Sequence, residues 1–187
     1  KWFALGGAGG VALVFVAMMI PSINERAMYR INVWHDPFID PQVSGFQTIQ
    51  SLYAIGSGGL MGAGIGNSRQ KYLFLPEPQN DFVFSIICEE IGFVGAVIII
   101  LLFALLICRG FMIAVKARDR FGMLLATGLT AQVGIQAVLN IAVVTNTIPN
   151  TGISLPFFSY GGSALLMLLA QMGIILSISR QTALEKE

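Results

Sequence analysis

Asn80-Asp81-Phe82-Val83-Phe84-Ser85-Ile86-Ile87-Cys88-Glu89-Glu90-Ile91-Gly92 is the stretch whose reading decides the fold. Three carboxylates stand at the entrance to an apolar run that carries no charge from Ile91 to Cys108. Just upstream lie Arg69, Lys71 and Glu77, with Pro76 and Pro78 on either side of Glu77. Only 11% of this chain is charged, so a cluster of this density marks the seam between a membrane-crossing segment and a polar one.

The rest of the composition agrees with that seam. Over 187 residues, 55% are apolar and 21 are glycine, whereas a soluble domain carries nearer a quarter of its residues charged. The net charge of +1, with 11 Lys and Arg spread along the chain, gives no broad basic surface of the kind a nucleic-acid reader needs, and no nucleic-acid partner is expected. Cys88 and Cys108 share one apolar run, roughly 30 Å apart along a helix at about 1.5 Å per residue, too far to pair, and no CxxC spacing is present. The chain opens on Lys1 with no signal-peptide pattern, which reads as a piece of a longer membrane protein.

Four runs are long and apolar enough to cross a bilayer: residues 2–20, 82–107, 122–144 and 164–179. Residues 21–81 form a large loop that is too aromatic for disorder, with Trp34, Phe38, Phe46, Tyr53, Tyr72 and Phe74. Within it Gln47, Gln50, Ser51 and Ala54 share one helical face and Phe46, Ile49, Leu52 and Tyr53 the other. That pattern predicts a short amphipathic helix at the membrane surface. The glycines from Gly56 to Gly66 lack a preceding strand and a terminal Lys-Ser/Thr, so close backbone packing explains them better than a phosphate loop. Arg109, Lys116, Arg118 and Arg120 make the densest positive patch. The positive-inside rule assigns that turn, and the C-terminus, to the cytoplasm. Asp81 and residues 145–163 then fall outside, the latter as an extracellular or re-entrant loop, since its Pro and Gly forbid a regular helix while Ile153 to Phe158 are too apolar for an exposed turn.

The polar residues admit two readings each. Asp81 fits an ordinary helix N-cap or a reactive carboxylate, with Lys71, Gln79 and Asn80 before it and Ser85 and Glu89 one and two turns after. Glu89 and Glu90, early in a span, either bond a neighbouring helix or face a polar cavity, because a lone charge at membrane depth costs about 3 kcal/mol. Gln132, Gln136 and Asn140, four residues apart, serve helix-to-helix hydrogen bonding or a cavity wall. His35 beside Asp36 reads as a surface residue. No Ser-His-Asp set or zinc spacing exists.

Four blocks together resemble a known family. They are Gly45-Phe46-Gln47-Thr48-Ile49-Gln50-Ser51 with Ile55-Gly56-Ser57-Gly58-Gly59-Leu60; Gly62-Ala63-Gly64-Ile65-Gly66 with Ser68 and Lys71; Leu75-Pro76-Glu77 through Asn80-Asp81-Phe82-Val83-Phe84-Ser85 to Glu89-Glu90-Ile91-Gly92; and Pro149-Asn150-Thr151-Gly152-Ile153-Ser154-Leu155-Pro156-Phe157 with Ser159-Tyr160-Gly161-Gly162-Ser163. In order and spacing they are similar to the SEDS proteins of bacterial division, elongation and sporulation (FtsW, RodA and SpoVE), most of all the SpoVE and FtsW branch.

The resemblance implies an all-α polytopic membrane protein, here the last four of ten transmembrane helices with the large extracellular loop. It implies a peptidoglycan glycosyltransferase that polymerises lipid II, an undecaprenyl-pyrophosphate-linked disaccharide peptide, at the outer face of the bacterial cytoplasmic membrane. It places the family's essential aspartate at Asp81; Gln79-Asn80 stand where many members carry His-Thr. The chemistry needs one base for the acceptor hydroxyl, the role given to Asp81. Arg69 and Lys71 are candidates to attract the pyrophosphate. Gln79, Asn80, Ser85, Glu89, Glu90, Gln132, Gln136, Asn140, Ser159 and Tyr160 are further substrate-binding candidates. A divalent cation (Mg or Mn) near Asp81 would aid the leaving group, though no dedicated metal site is legible. Rival readings are a lipid II flippase, with Glu89, Glu90 and the Gln132 stripe along its path, and a scaffold for a class B penicillin-binding protein. Without the first six family helices, the 187-residue piece is expected to be inactive alone.

Overall fold

In the computed structural model the chain is described over residues 21–42, 45–68 and 81–183. It is helical, with no strand among the described residues. The predicted first span, residues 2–20, lies outside them.

The chain divides into two units, one ending at Ile49 and the other starting at Gln50. In the first, helix α1 covers Pro21–His35. Sequence reading gives Pro21 onward to a large loop, and the structure makes the first 15 of those residues helical. Glu25, Arg26, Ala27, Met28 and Arg30 are good helix formers, and the helix they build has a mostly exposed surface. A 3-10 turn, Pro37–Ile39, follows; Asp36 caps it by accepting from Phe38 N at 3.0 Å. The Tyr29 hydroxyl donates to Asp40 Oδ2. Gly45 N donates to Asp40 O at 2.9 Å, and a Cβ on Gly45 would lie 2.0 Å from Pro37 O, so this return of the chain admits only glycine.

Helix α2 covers Phe46–Gly58, as the amphipathic pattern predicts. Its orientation differs from a simple polar-out rule. Ser51, Ala54 and Gly58 are buried while Leu52 and Tyr53 are exposed. The Ser51 hydroxyl donates to Val144 O at 2.9 Å, and small residues bring the helix close to its neighbour; of the apolar face, Leu52 and Tyr53 are left outward while Ile49 is buried.

Among the described residues, three helices are long and apolar enough to cross a membrane by length and composition. They are α3, Val83–Val115, α4, Arg120–Val144, and α5, Gly162–Ala183. The antiparallel α3–α4 pair forms the framework of the second unit. Gly110 lets the two backbones close up, since a Cβ there would lie 2.4 Å from Thr130 Oγ1. Asp119 caps α4 by accepting from Gly122 N at 3.1 Å. The core gathers Phe82, Phe84, Cys88, Ala96, Ile99 and Phe103 of the α3 region with Ala137, Val144 and Leu155. Outward faces of α3 and α5, such as Leu101, Leu105, Leu166 and Leu169, stay exposed, as lipid or helix neighbours require.

Helix α3 is broken at Gly92, whose φ of 69° and ψ of −170° are non-helical. In an unbroken helix Phe93 N and Val94 N would bond Glu89 O and Glu90 O. Here all four groups find partners in the glycine-rich turn after α2. Ala63 N donates to Glu89 O at 2.9 Å and Gly64 N to Glu90 O at 2.9 Å, while Phe93 N donates to Gly59 O at 2.9 Å and Val94 N to Leu60 O at 3.2 Å. The approach is backbone to backbone: a Cβ would lie 2.0 Å from Cys88 O at Gly58, 2.2 Å from Glu90 O at Gly62 and 2.4 Å from Gly62 N at Gly92. Residues 93–115 alone extend about 34 Å, enough to span. Glu89 and Glu90 therefore stand at the end of a short leading segment, ahead of the membrane-length portion.

Candidate functional site

Asp81 lies in a turn ahead of α3 and is half-buried. The N-cap position falls on Phe82, with no side-chain cap, so the ordinary N-cap reading of Asp81 is not the geometry found. Ser85, buried, turns its hydroxyl back to Phe82 O at 2.6 Å and tightens this first turn.

The chain after α4 folds back along that helix. Asn140 Nδ2 donates to Ile153 O at 2.7 Å and to Asp81 O at 2.8 Å. One turn earlier, Gln136 Nε2 donates to Ser154 O at 3.0 Å. Gln136 lies eight residues before Val144, so the returning backbone reaches about 12 Å down the helix at 1.5 Å per residue. Leu155 and Pro156 are buried, and Phe158 stacks obliquely on Phe103 with ring centroids 6.1 Å apart. Leu155 N donates to Ser159 Oγ at 2.7 Å, closing the loop on itself. Phe157 holds a φ of 67°, a sparsely populated conformation for a non-glycine residue. The loop is irregular in backbone yet packed on protein, the setting in which a membrane tolerates such backbone.

The loop meets Asp81 at Gly152. With a φ of 68° and an Asx turn from its N–H to Asn150 Oδ1 at 3.1 Å, Gly152 presents its open side to the carboxylate; a Cβ there would lie 3.5 Å from Asp81 Oδ2. Asp81 thus sits at the end of the helices opposite the turn that carries Lys116, Arg118 and Arg120, beside a folded-back loop.

Of the remaining candidates, the structure gathers some and scatters others. Arg69, Lys71, Gln79 and Asn80 lie outside the described residues. Glu89 is buried and accepts from the buried Ser68 hydroxyl at 2.5 Å, while Glu90 Oε1 is buried with no hydrogen-bond partner among the described residues. Gln132 is exposed and accepts from Gln171 Nε2 at 3.4 Å, tying α4 to α5. Gln132, Gln136 and Ile153 also line a shallow groove of about 510 Å³ on the outer face of α4. Ser159 is engaged within its loop, and Tyr160 is 78% exposed. Asp81, Gln136 and Asn140 therefore form one cluster with residues 152–154, and Ser68, Glu89 and Glu90 form another at the helix break. Sequence reading missed Gly152 and Ser68 as members; the glycine-rich spacing and the block around Pro149 were the signals at hand. No group of three His, Cys, Asp or Glu that could hold a metal occurs among the described residues.

Residues 1–184 match the cell cycle protein family that groups FtsW, RodA and SpoVE. Stage V sporulation protein E of Bacillus subtilis is 53% identical over 176 residues, covering 94% of this chain and 46% of that protein. A probable peptidoglycan glycosyltransferase FtsW of a Geobacter species is 44% identical over 173 residues, covering 92% of this chain and 47% of that protein. A chain from a solved peptidoglycan synthase complex, described as coordinating polymerization and crosslinking, superposes with a TM-score of 0.70 at 36% identity, over 95% of this chain and 48% of that one. The chain spans about half the length of the relatives it matches. With the family match covering residues 1–184 of its length, this chain belongs to the FtsW/RodA/SpoVE family of cell cycle proteins.

Proposed function

We propose that this chain is the C-terminal part of a ten-helix peptidoglycan glycosyltransferase that extends glycan strands from lipid II at the outer face of the cytoplasmic membrane. The observation that carries the reading is Asp81, held at the end of the bundle away from the arginine-rich turn and set against Gly152 of the re-entrant loop. The positive-inside rule puts that turn and the C-terminus in the cytoplasm, hence Asp81 outside.

In the reaction the Asp81 carboxylate takes the proton from the 4-hydroxyl of the acceptor sugar as its oxygen attacks the anomeric carbon of the donor. The new carbon–oxygen bond forms on the face opposite the leaving group. The anomeric carbon–oxygen bond to pyrophosphate breaks, the electron pair departs with the phosphate, and an α-linked donor becomes a β-1,4 link. A pyrophosphate needs no proton to leave, so a second acid is unnecessary. Arg69 and Lys71 neutralise its charge, together with any divalent cation, Mg or Mn, that arrives with it. A class B penicillin-binding protein is the partner that would crosslink the product, in line with the synthase complex to which this chain is similar.

A transporter reading has the broken α3 in its favour, since discontinuous helices mark many transport sites. At this break, however, the four freed backbone groups are all paired with the glycine-rich turn, which leaves no exposed half-helix end for an ion or substrate.

The test uses the full-length protein reconstituted with purified lipid II. Glycan chains are expected from the parent and none from Asp81→Ala, with the variant retaining its melting midpoint; the 187-residue stretch alone is expected to make none. Polymer made at the parental rate by Asp81→Ala, or passage of lipid II across vesicles with no polymer at all, would overturn the proposal.

A further inference from the structure

Asn140 is fully buried, and its amide is used on one side only. Nδ2 donates to two backbone carbonyls, Asp81 O at 2.8 Å and Ile153 O at 2.7 Å, while the buried Oδ1 has no hydrogen-bond partner among the described residues. That pairing fixes the amide's orientation, because the flipped form would set Oδ1 against two carbonyl oxygens. A buried acceptor left open calls for a reason. Here the amide forgoes a donor for Oδ1 and in return clamps two strands of chain onto one nitrogen.

The two strands are the ones that meet at the carboxylate. Asp81 stands in the turn before α3, ahead of the helix's own hydrogen-bond ladder. Ile153 follows Gly152, whose open side faces Asp81 Oδ2. Gln136 bonds the same loop at Ser154 O, which sets the loop's depth; Asn140 joins the loop to the residue bearing the carboxylate. We infer that Asn140 is a positioning residue, fixing the Asp81 carboxylate against the re-entrant loop at Gly152 so that it meets the acceptor hydroxyl at proton-transfer distance. This rests on the reading of Asp81 as the base. A displacement of about 1 Å in such a group lowers turnover by about a hundredfold, which is the scale on which a lost clamp acts.

The test has two arms in the full-length protein. In the first, Asn140→Ala and Asn140→Asp, the latter similar in shape but without the donor nitrogen, are assayed on lipid II. Turnover is expected to fall about ten- to hundredfold in both, with KM within about twofold of the parent; a loss confined to KM, or parental turnover where Asp81→Ala is dead, would overturn the inference. The second arm needs no activity. Asp81→Cys and Ile153→Cys are combined with Cys88→Ala and Cys108→Ala, and native membranes are treated with a short bifunctional thiol reagent. Cross-linking is expected to drop several-fold when Asn140→Ala is added, and an unchanged yield would overturn the clamp. An active Asp81→Ala would sink the base assignment while the cross-linking arm still judged the clamp.

Discussion

Gly92→Ala tests the break in α3 directly. The residue holds φ 69° and ψ −170°, a region that non-glycine residues enter at a cost of about 1–3 kcal/mol. An added Cβ would also stand 2.4 Å from Gly62 N and 2.6 Å from Leu60 O, both backbone atoms that cannot rotate aside. The turn must withdraw, and with it go the bonds from Phe93 N to Gly59 O and from Val94 N to Leu60 O. At about 0.5–1.5 kcal/mol net for each hydrogen bond, losing two adds roughly 1–3 kcal/mol. The sum is about 2–6 kcal/mol. At roughly 2–4 °C per kcal/mol for a chain of this size class, the melting midpoint falls on the order of 10 °C. The assay is thermal denaturation of the full-length protein in mild detergent, followed by the loss of the monodisperse species. Gly128→Ala, in the interior of α4 with nothing within 4 Å of the added Cβ, is the control and should be neutral or stabilising by up to about 1 kcal/mol. A Gly92→Ala midpoint at or above the parent's would mean that the leading segment and the membrane-length portion join as one continuous helix. The account of the glycine-rich turn would then be refuted.

Two further sets of changes probe the helix break and the α3–α4 packing. Ser68→Ala removes the hydroxyl that donates to buried Glu89 and should cost about 1–3 kcal/mol. Glu89→Gln, which keeps an acceptor for Ser68, should cost less, the two being compared in the same melt. Gly110→Val would push a side chain into Thr130, whose Oγ1 and Cγ2 lie 2.4 and 2.6 Å from the added Cβ, at about 1–3 kcal/mol for overpacking. Thr130→Ala in the same chain should recover part of that loss, and a double-mutant cycle on melting midpoints measures the coupling.

The amino-acid sequence by itself determined the helical class, the bounds of α4 to within two residues, and the place of Asp81 just ahead of α3; it ended that helix at 107, eight residues short of Val115, and did not foresee the break at Gly92. The points it determined follow from local quantities: runs of apolar side chains, scarce charge, and the Arg-rich turn after Val115. The period-four stripe of Gln132, Gln136 and Asn140 was equally visible, but its use was not. Gln132 reaches a side chain on α5, whereas Gln136 and Asn140 reach backbone carbonyls of the loop and of Asp81; a carbonyl is the same at every residue, so no side-chain pattern announces it. The same holds for Gly92, one of several glycines in an apolar run, which becomes a break only because the turn from Gly59 to Gly64 offers matching donors and acceptors. Helix α2 gave its period but not its facing: Ser51 and Ala54 turn inward because close approach to Val144 favours small side chains over greasy ones. Only the tertiary structure decided these points, since each depends on which distant backbone comes within hydrogen-bonding reach.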